Sequence, residues 1–178
     1  MDNYSFEEVK SFYNRLTDRV KQSAPGIELK KKIDEMGTVS VGGIAPNFKA
    51  MTPDGKELSL YDLRGHIVLL DFWASWCGPC MAEMPNVKEI YKKYHDKGLE
   101  ILGVSLDSKK EPWVNAIEKN ELMWHHVSTL NKFDFPIAGQ FRVTGIPQMY
   151  ILDKDGKIIA QDLRGEELAK KMDELFNQ

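Results

Sequence analysis

Residues 67–74 read Ile-Val-Leu-Leu-Asp-Phe-Trp-Ala, an apolar run broken by a single carboxylate. A run of this length and composition suits one strand buried on both faces, because a half-exposed strand would alternate apolar and polar residues. It is far short of the roughly 20 residues that a membrane-spanning helix needs. After Ser75 and Trp76 the chain places Cys77-Gly78-Pro79-Cys80, and a helical pattern then runs from about Pro79 to His95. A second stretch that reads as a buried strand, Leu99 to Leu106, comes next. Strand, helix and strand in that order imply two parallel strands joined by a right-handed crossover. Any fold for this chain must therefore hold Cys77 where a helix leaves the end of a buried strand.

The rest of the chain divides near Gly42-Gly43. Before that point Phe6, Val9, Tyr13, Leu16 and Val20 recur at spacings of 3 and 4, which puts them on one helix face. Ser5 ahead of Glu7 and Glu8 suits a helix start, with acids near the positive end of the dipole. Ala24-Pro25-Gly26 reads as a break, followed by a second short helix from Ile27 to Met36 that ends near Gly37. Residues 1–40 are thus an added helical segment, either packed on the main domain or a partner chain, or the tail of an upstream domain. Residues 41–178 alternate strand and helix. Lys49 to Leu60 reads as a hairpin turned at Pro53-Asp54-Gly55, and Tyr61 to Arg64 as a helical turn. A helix over Glu111–Asn120, a short strand near His126 and a helical stretch from Asp134 to Phe141 follow. A second hairpin joins Gln148–Leu152 to Lys157–Gln161, and an amphipathic helix over Glu166–Phe176 closes the chain. The expected class is α/β, a mixed central sheet with helices on both faces.

Composition excludes several functions. The 178 residues carry 24 basic and 27 acidic side chains, a formal net charge of −3, with no long block of one sign. That leaves no electrostatic footprint for nucleic acid or an anionic membrane. The start, Met1-Asp2-Asn3-Tyr4-Ser5, lacks the basic flank and apolar run of a signal peptide.

There are 2 cysteines, three positions apart, so the pair is a redox couple or half a metal site. Zinc would need two further ligands. The histidines are His66, His95, His125 and His126, and the adjacent pair on a strand would point to opposite faces. The redox reading is better supported. A cysteine at a helix N-terminus meets unpaired N–H groups and the positive end of the dipole, which favour its thiolate. Pro79 fits the first helical turn, where its missing N–H has no partner to lose. Cys77 is then the attacking thiol and Cys80 the resolving thiol. No cofactor beyond this pair is called for.

The string Phe72-Trp73-Ala74-Ser75-Trp76-Cys77-Gly78-Pro79-Cys80 resembles the active-site signature of the thioredoxin superfamily. Four further motifs are similar to its TlpA/ResA-like branch of thiol–disulfide oxidoreductases, related to AhpC/TSA proteins. They are Gly42-Gly43-Ile44-Ala45-Pro46-Asn47-Phe48 with Leu58-Ser59-Leu60-Tyr61-Asp62-Leu63-Arg64-Gly65, then Cys80-Met81-Ala82-Glu83-Met84-Pro85, then Gly145-Ile146-Pro147. The resemblance covers residues from about 41 to the C-terminus. It implies a thioredoxin fold with an N-terminal β-hairpin.

The resemblance also implies roles. Pro147 would be a cis-proline facing the cysteines, with the Ile146 backbone pairing with a substrate strand. Trp76, Gly78 and Pro79 would complete the substrate-facing surface. Asp71 resembles the buried acid that relays a proton to or from the second cysteine. The lysine that partners this acid in thioredoxin is matched here by Gly103, and the other reading of Asp71 is a solvated strand end. Glu83 would tune the cysteines from one helical turn past Cys80, or else face solvent. Trp73 and Trp76 are expected to be partly exposed around the thiols, and Pro85 to kink its helix.

The implied activity is reduction of protein disulfides, with an upstream thiol as electron donor. Periplasm or cell envelope is the implied compartment, the cytoplasm being the other. Apocytochrome c and other envelope proteins with disulfides are the implied substrates. A peroxiredoxin-type peroxidase is the alternative, since Ala45-Pro46-Asn47-Phe48 is shared with that class. Its pattern P-x-x-x-T-x-x-C fails here, with Trp73 and Cys77 where Pro and Thr belong if Cys80 is last.

Overall fold

The computed structural model describes residues 4–131 and 136–177. The apolar run at 67–74 becomes the strand Ile67–Trp73, buried at every position after Ile67. In chain order the strands are β1 (Lys49–Met51), β2 (Glu57–Ser59), β3 (Ile67–Trp73), β4 (Leu99–Ser105), β5 (His125–Ser128), β6 (Gln148–Leu152) and β7 (Ile158–Gln161). They form one sheet in the order β2-β1-β5-β4-β3-β6-β7. β3, β4 and β5 are parallel, while β1 and β6 run antiparallel to their neighbours β5 and β3. Both hairpins form, β1–β2 and β6–β7. The outer edge of β7 is met at its first residue by the linker that precedes the sheet. Gly42 N–H donates to the Ile158 carbonyl at 2.8 Å, and Ile158 N–H donates to the Gly43 carbonyl at 2.8 Å. Such pairing shortens the open edge that another chain could extend.

Side chains of β3 alternate between two apolar layers. On one face Phe72 packs on Phe141 with ring centroids 5.3 Å apart, and Phe141 meets Phe48 edge-on at 5.8 Å. On the other lies the helix α4 (Gly78–Tyr94), which buries Cys80, Met84, Val87, Ile90 and Tyr94, a stripe at helical spacing. It runs unbroken through Pro85. The closing helix α7 (Gly165–Phe176) buries Leu168 and Met172 and stacks Phe176 on Tyr94 at 4.8 Å. α5 (Lys110–Lys119) and α6 (Pro136–Gln140) complete the layers. The start of the helical stretch expected from Asp134 lies outside the described residues.

The N-terminal segment differs in detail from expectation. α1 (Phe6–Asn14) starts at Ser5, whose hydroxyl accepts the Glu8 N–H while the Glu8 carboxylate accepts the Ser5 N–H. The apolar series does not continue as one helix to Val20. The chain turns after Asn14, forms the short α2 (Asp18–Lys21), and leaves Val20 exposed. Ala24-Pro25-Gly26 is not a break but the first turn of α3 (Ala24–Thr38), capped by the Ser23 hydroxyl. Proline in the first turn costs no hydrogen bond. Gly26 is required there because a Cβ would lie 2.1 Å from the Val20 carbonyl oxygen.

One glycine shapes the layer beneath α4. Gly103 lies between Asp71 on β3 and His126 on β5. A Cβ at this position would stand 2.6 Å from His126 Nδ1 and 2.8 Å from Trp73 Nε1. The Trp73 indole is thus fully buried over Gly103, not partly exposed as the sequence suggested, because the missing side chain leaves room for it. Gly103→Ala is expected to destabilise the fold by about 1–3 kcal/mol through overpacking of two buried rings. A urea midpoint unchanged from wild type would contradict this packing.

Candidate active site

β3 ends at Trp73, and a tight turn carries the chain into α4. Cys77 N–H donates to the Ala74 carbonyl at 3.1 Å, and Cys77 is the N-cap of the helix. Its sulfur accepts the Cys80 backbone N–H at 3.2 Å. The thiol sulfur therefore occupies the position where a capping oxygen would sit, facing an unpaired amide and the positive end of the dipole. Both effects favour negative charge on Cys77 once the pair is reduced. In this structure Cys77 and Cys80 are joined by a disulfide, with Cα atoms 5.2 Å apart. Cys77 is 5 % exposed and Cys80 1 %, so both residues are buried and Cys77 is slightly the more accessible. Gly78 and Pro79 are exposed beside it, and Trp76 is 55 % exposed.

A buried carboxylate holds the turn in place. Asp107 accepts the Ser75 N–H at 2.9 Å, the Ser75 hydroxyl at 2.6 Å and the Ser105 hydroxyl at 2.7 Å. The segment before Cys77 is thus tied to the end of β4. Sequence reasoning missed Asp107, since no periodicity marks a side chain that bonds a residue 32 positions away. Its one available signal was a carboxylate directly after an apolar strand.

Asp71 lies beneath α4 with no exposure, which rules out a solvated strand end. Neither carboxylate oxygen has a hydrogen-bond partner among the described residues. Its neighbours in register are Gly103 on β4 and Met149 on β6, and neither offers a charge. Burial pushes the acid up to about 7, the Glu83 carboxylate adds to the rise, and the Arg164 guanidinium opposes it. Glu83 is half-buried and does not simply face solvent. Its Oε1 accepts the Gly165 N–H at 2.8 Å and the Asn86 side-chain amide at 2.7 Å, which ties α4 to the start of α7. Arg164, the N-cap residue of α7, donates from Nη2 to the Pro147 carbonyl. Neither Arg164 nor Asn86 was picked out from the sequence.

The Ile146–Pro147 peptide is cis. Phe72 pairs with Gln148, so the turn at 145–147 leaves the sheet at the same end as the turn into Cys77. Pro147 is buried and Ile146 half-buried, and the Ile146 backbone lies outside the ladder between β3 and β6.

The model of the AhpC/TSA family matches residues 41–161. The chain belongs to the AhpC/TSA family. Within that family it is 33% identical over 148 residues to the thiol-disulfide oxidoreductase ResA of Bacillus thuringiensis subsp. konkukian, covering 79% of each chain. Among solved structures it is similar to the thioredoxin domain of a thiol-disulfide oxidoreductase from Bacteroides vulgatus, with a TM-score of 0.74 and 33% identity, over 78% of this chain and 99% of that one. It is also similar to a thiol:disulfide interchange protein from Bacteroides sp., with a TM-score of 0.73 and 32% identity, over 79% and 93%. This AhpC/TSA protein is thus a thioredoxin-fold thiol–disulfide oxidoreductase of the TlpA/ResA-like kind. The peroxidase alternative is not favoured, since these relatives are oxidoreductases of disulfides and the peroxidatic pattern is missing. The histidines expected to diverge do so, with His125 exposed and His126 buried. Among the described residues no group of three or more His, Cys, Asp or Glu is placed to hold a metal ion.

The buried acid has a measurable consequence. Its folded value near 7 lies above the ordinary value of 3.8. Between those pH values the native protein keeps a proton that the unfolded chain has lost, so stability falls as pH rises through the window. Asp71→Asn removes that charge. It is expected to exceed wild type in stability at pH 8 by on the order of 4 kcal/mol, with the margin closing below about pH 4. Guanidinium unfolding at the two pH values measures the difference, and a margin independent of pH would show that Asp71 is not buried as described.

Proposed function

We propose that this protein reduces protein disulfides, with Cys77 as the attacking thiolate and Cys80 as the resolving thiol. The observation that carries the reading is the Cys77 sulfur capping α4 and accepting the Cys80 amide, with Cys77 the slightly more accessible of the two residues. In the reduced protein the Cys77 thiolate attacks one sulfur of a substrate disulfide. That S–S bond breaks, a mixed disulfide forms, and the departing substrate thiolate takes a proton from water. Cys80 then gives its proton to the Asp71 carboxylate and attacks the Cys77 sulfur. The mixed disulfide breaks, the second substrate thiolate leaves, and the Cys77–Cys80 disulfide remains. Two electrons have passed from the pair to the substrate, and an upstream dithiol must restore them.

The substrate surface is proposed to consist of Trp76, Gly78, Pro79, Ile146 and Pro147. An extended substrate segment would pair with the Ile146 backbone, whose polar groups the sheet does not use. Glu83 lies close enough to influence Asp71 and is proposed to tune the proton step. The Gly-Pro dipeptide between the cysteines, shared with thioredoxin, supports the direction of electron flow. The resemblance to the TlpA/ResA-like branch supports a place in the periplasm or cell envelope, with disulfide-bearing proteins such as apocytochrome c as substrates. No helix among the described residues is long and apolar enough to cross a membrane.

Cys80→Ser protein is expected to accumulate mixed disulfides with protein substrates, all through Cys77 and all released by dithiothreitol. Peptide mapping of the adducts identifies the linked residue. Equal trapping by a Cys77→Ser protein, which keeps Cys80 alone, would overturn the assignment. Wild-type protein is expected to accelerate reduction of a model protein disulfide by dithiothreitol at least about tenfold, as an activated thiolate requires. A rate equal to dithiothreitol alone would argue against a reductase.

A further inference from the structure

Asp71 is a buried acid whose own strand neighbours supply neither a charge nor a hydrogen bond. The charged groups that act on it come from the two helices above. Glu83 lies on α4, and Arg164 caps α7. His126, two strands away beyond Gly103, is kept neutral because burial pushes it down to about 3. Asp162 lies just before Arg164 and is itself influenced by that guanidinium. Arg164 is thus the one cation among the groups acting on Asp71. Its Nη2 also donates to the carbonyl of Pro147, and the next residue, Gly165, donates its N–H to Glu83. One short stretch of chain therefore acts on the proposed proton acceptor, its opposing carboxylate and the cis-proline turn.

We propose that Arg164 is a positioning residue of the exchange reaction, acting at once on the Asp71 carboxylate and on the Ile146–Pro147 turn. This rests on the reductase reading, and deepens it. Arg164 does not touch the sulfurs. Its charge favours the ionised form of Asp71, the form that accepts the Cys80 proton, and offsets the opposing field of Glu83. Its hydrogen bond to the Pro147 carbonyl fixes the turn along which a substrate strand would lie. Loss of the guanidinium should therefore raise the pH needed for the resolving step and loosen substrate binding. Glu83→Gln should move the same pH dependence the other way.

The test compares wild type, Arg164→Gln, Arg164→Lys and Glu83→Gln, each as the full chain. Carbon-13 NMR of the aspartate carboxyls follows Asp71, with Asp71→Asn to assign its signal. The pH profiles of kcat and of KM are measured separately for reduction of a model protein disulfide by dithiothreitol. Arg164→Gln is expected to raise the Asp71 midpoint by about half a pH unit or more. It should shift the acidic limb of the kcat profile equally, with kcat several-fold lower at about pH 6 and close to wild type at about pH 9. Its KM should rise as well. Arg164→Lys, which keeps the charge, should restore the midpoint and the limb. Unchanged midpoints in Arg164→Gln, or equal shifts in the Gln and Lys variants, would overturn the proposal. If wild type proved inactive the reductase reading would fail, while the carboxyl midpoints would still decide whether Arg164 acts on Asp71.

Discussion

The position of the two sulfurs depends on a buried strand paired on both of its edges. β3 is buried from Val68 to Trp73 and pairs along its length with β4 on one side and with β6 on the other. A one-residue slip would exchange its two faces, sending Asp71 and Trp73 into the Phe72–Phe141 layer and Phe72 beneath α4. Register is therefore strongly specified, and with it the point at which the chain leaves the sheet. Asp107 then ties the exit turn to the end of β4. Cys77 inherits its place at the helix mouth from these two restraints, and the helix does the rest by offering an amide to the sulfur.

The same layer carries polar groups that a stability-optimised core would not contain. The Asp71 carboxylate, the Trp73 indole N–H and both ring nitrogens of His126 are buried without a hydrogen-bond partner among the described residues. Each such group costs of order 1–3 kcal/mol unless an ordered water meets it. His126 accommodates this by remaining neutral. Asp71 accommodates it by holding its proton until about pH 7, which is also the range where a proton acceptor for a thiol is most useful. Its unfavourable burial and its proposed chemical role thus have a single cause.

The helices above the sheet are linked across the site. Glu83 and Asn86 bond the start of α7, while Arg164 at that start bonds the cis-proline turn. Helix, turn and buried acid are therefore not independent supports of the sulfurs. They meet at Arg164-Gly165, residues more than eighty positions from Cys77 in the chain.

Much of this was legible in the residues. The largely apolar stretches at 67–74 and 99–106 read as buried central strands, and the Cys-Gly-Pro-Cys spacing needs a helix start to make chemical sense. The match of Gly103 to the place beside Asp71 holds in the observed register. Local signals failed where a distant contact outweighed them. Ala24-Pro25-Gly26 looks like a terminator until the Val20 carbonyl is brought against Gly26, where only glycine fits. Trp73 looks like a residue beside the thiols until the space over Gly103 takes its ring. Asp107, Glu83 and Arg164 carry no periodic pattern, and their partners are brought near only by the packed sheet and helices. Sequence alone determined where the sulfurs are and what kind of strand and helix hold them, because burial pattern and helix capping act between near neighbours. Tertiary structure decided which charges surround the buried acid, because a Coulomb interaction depends on distance in space and not along the chain.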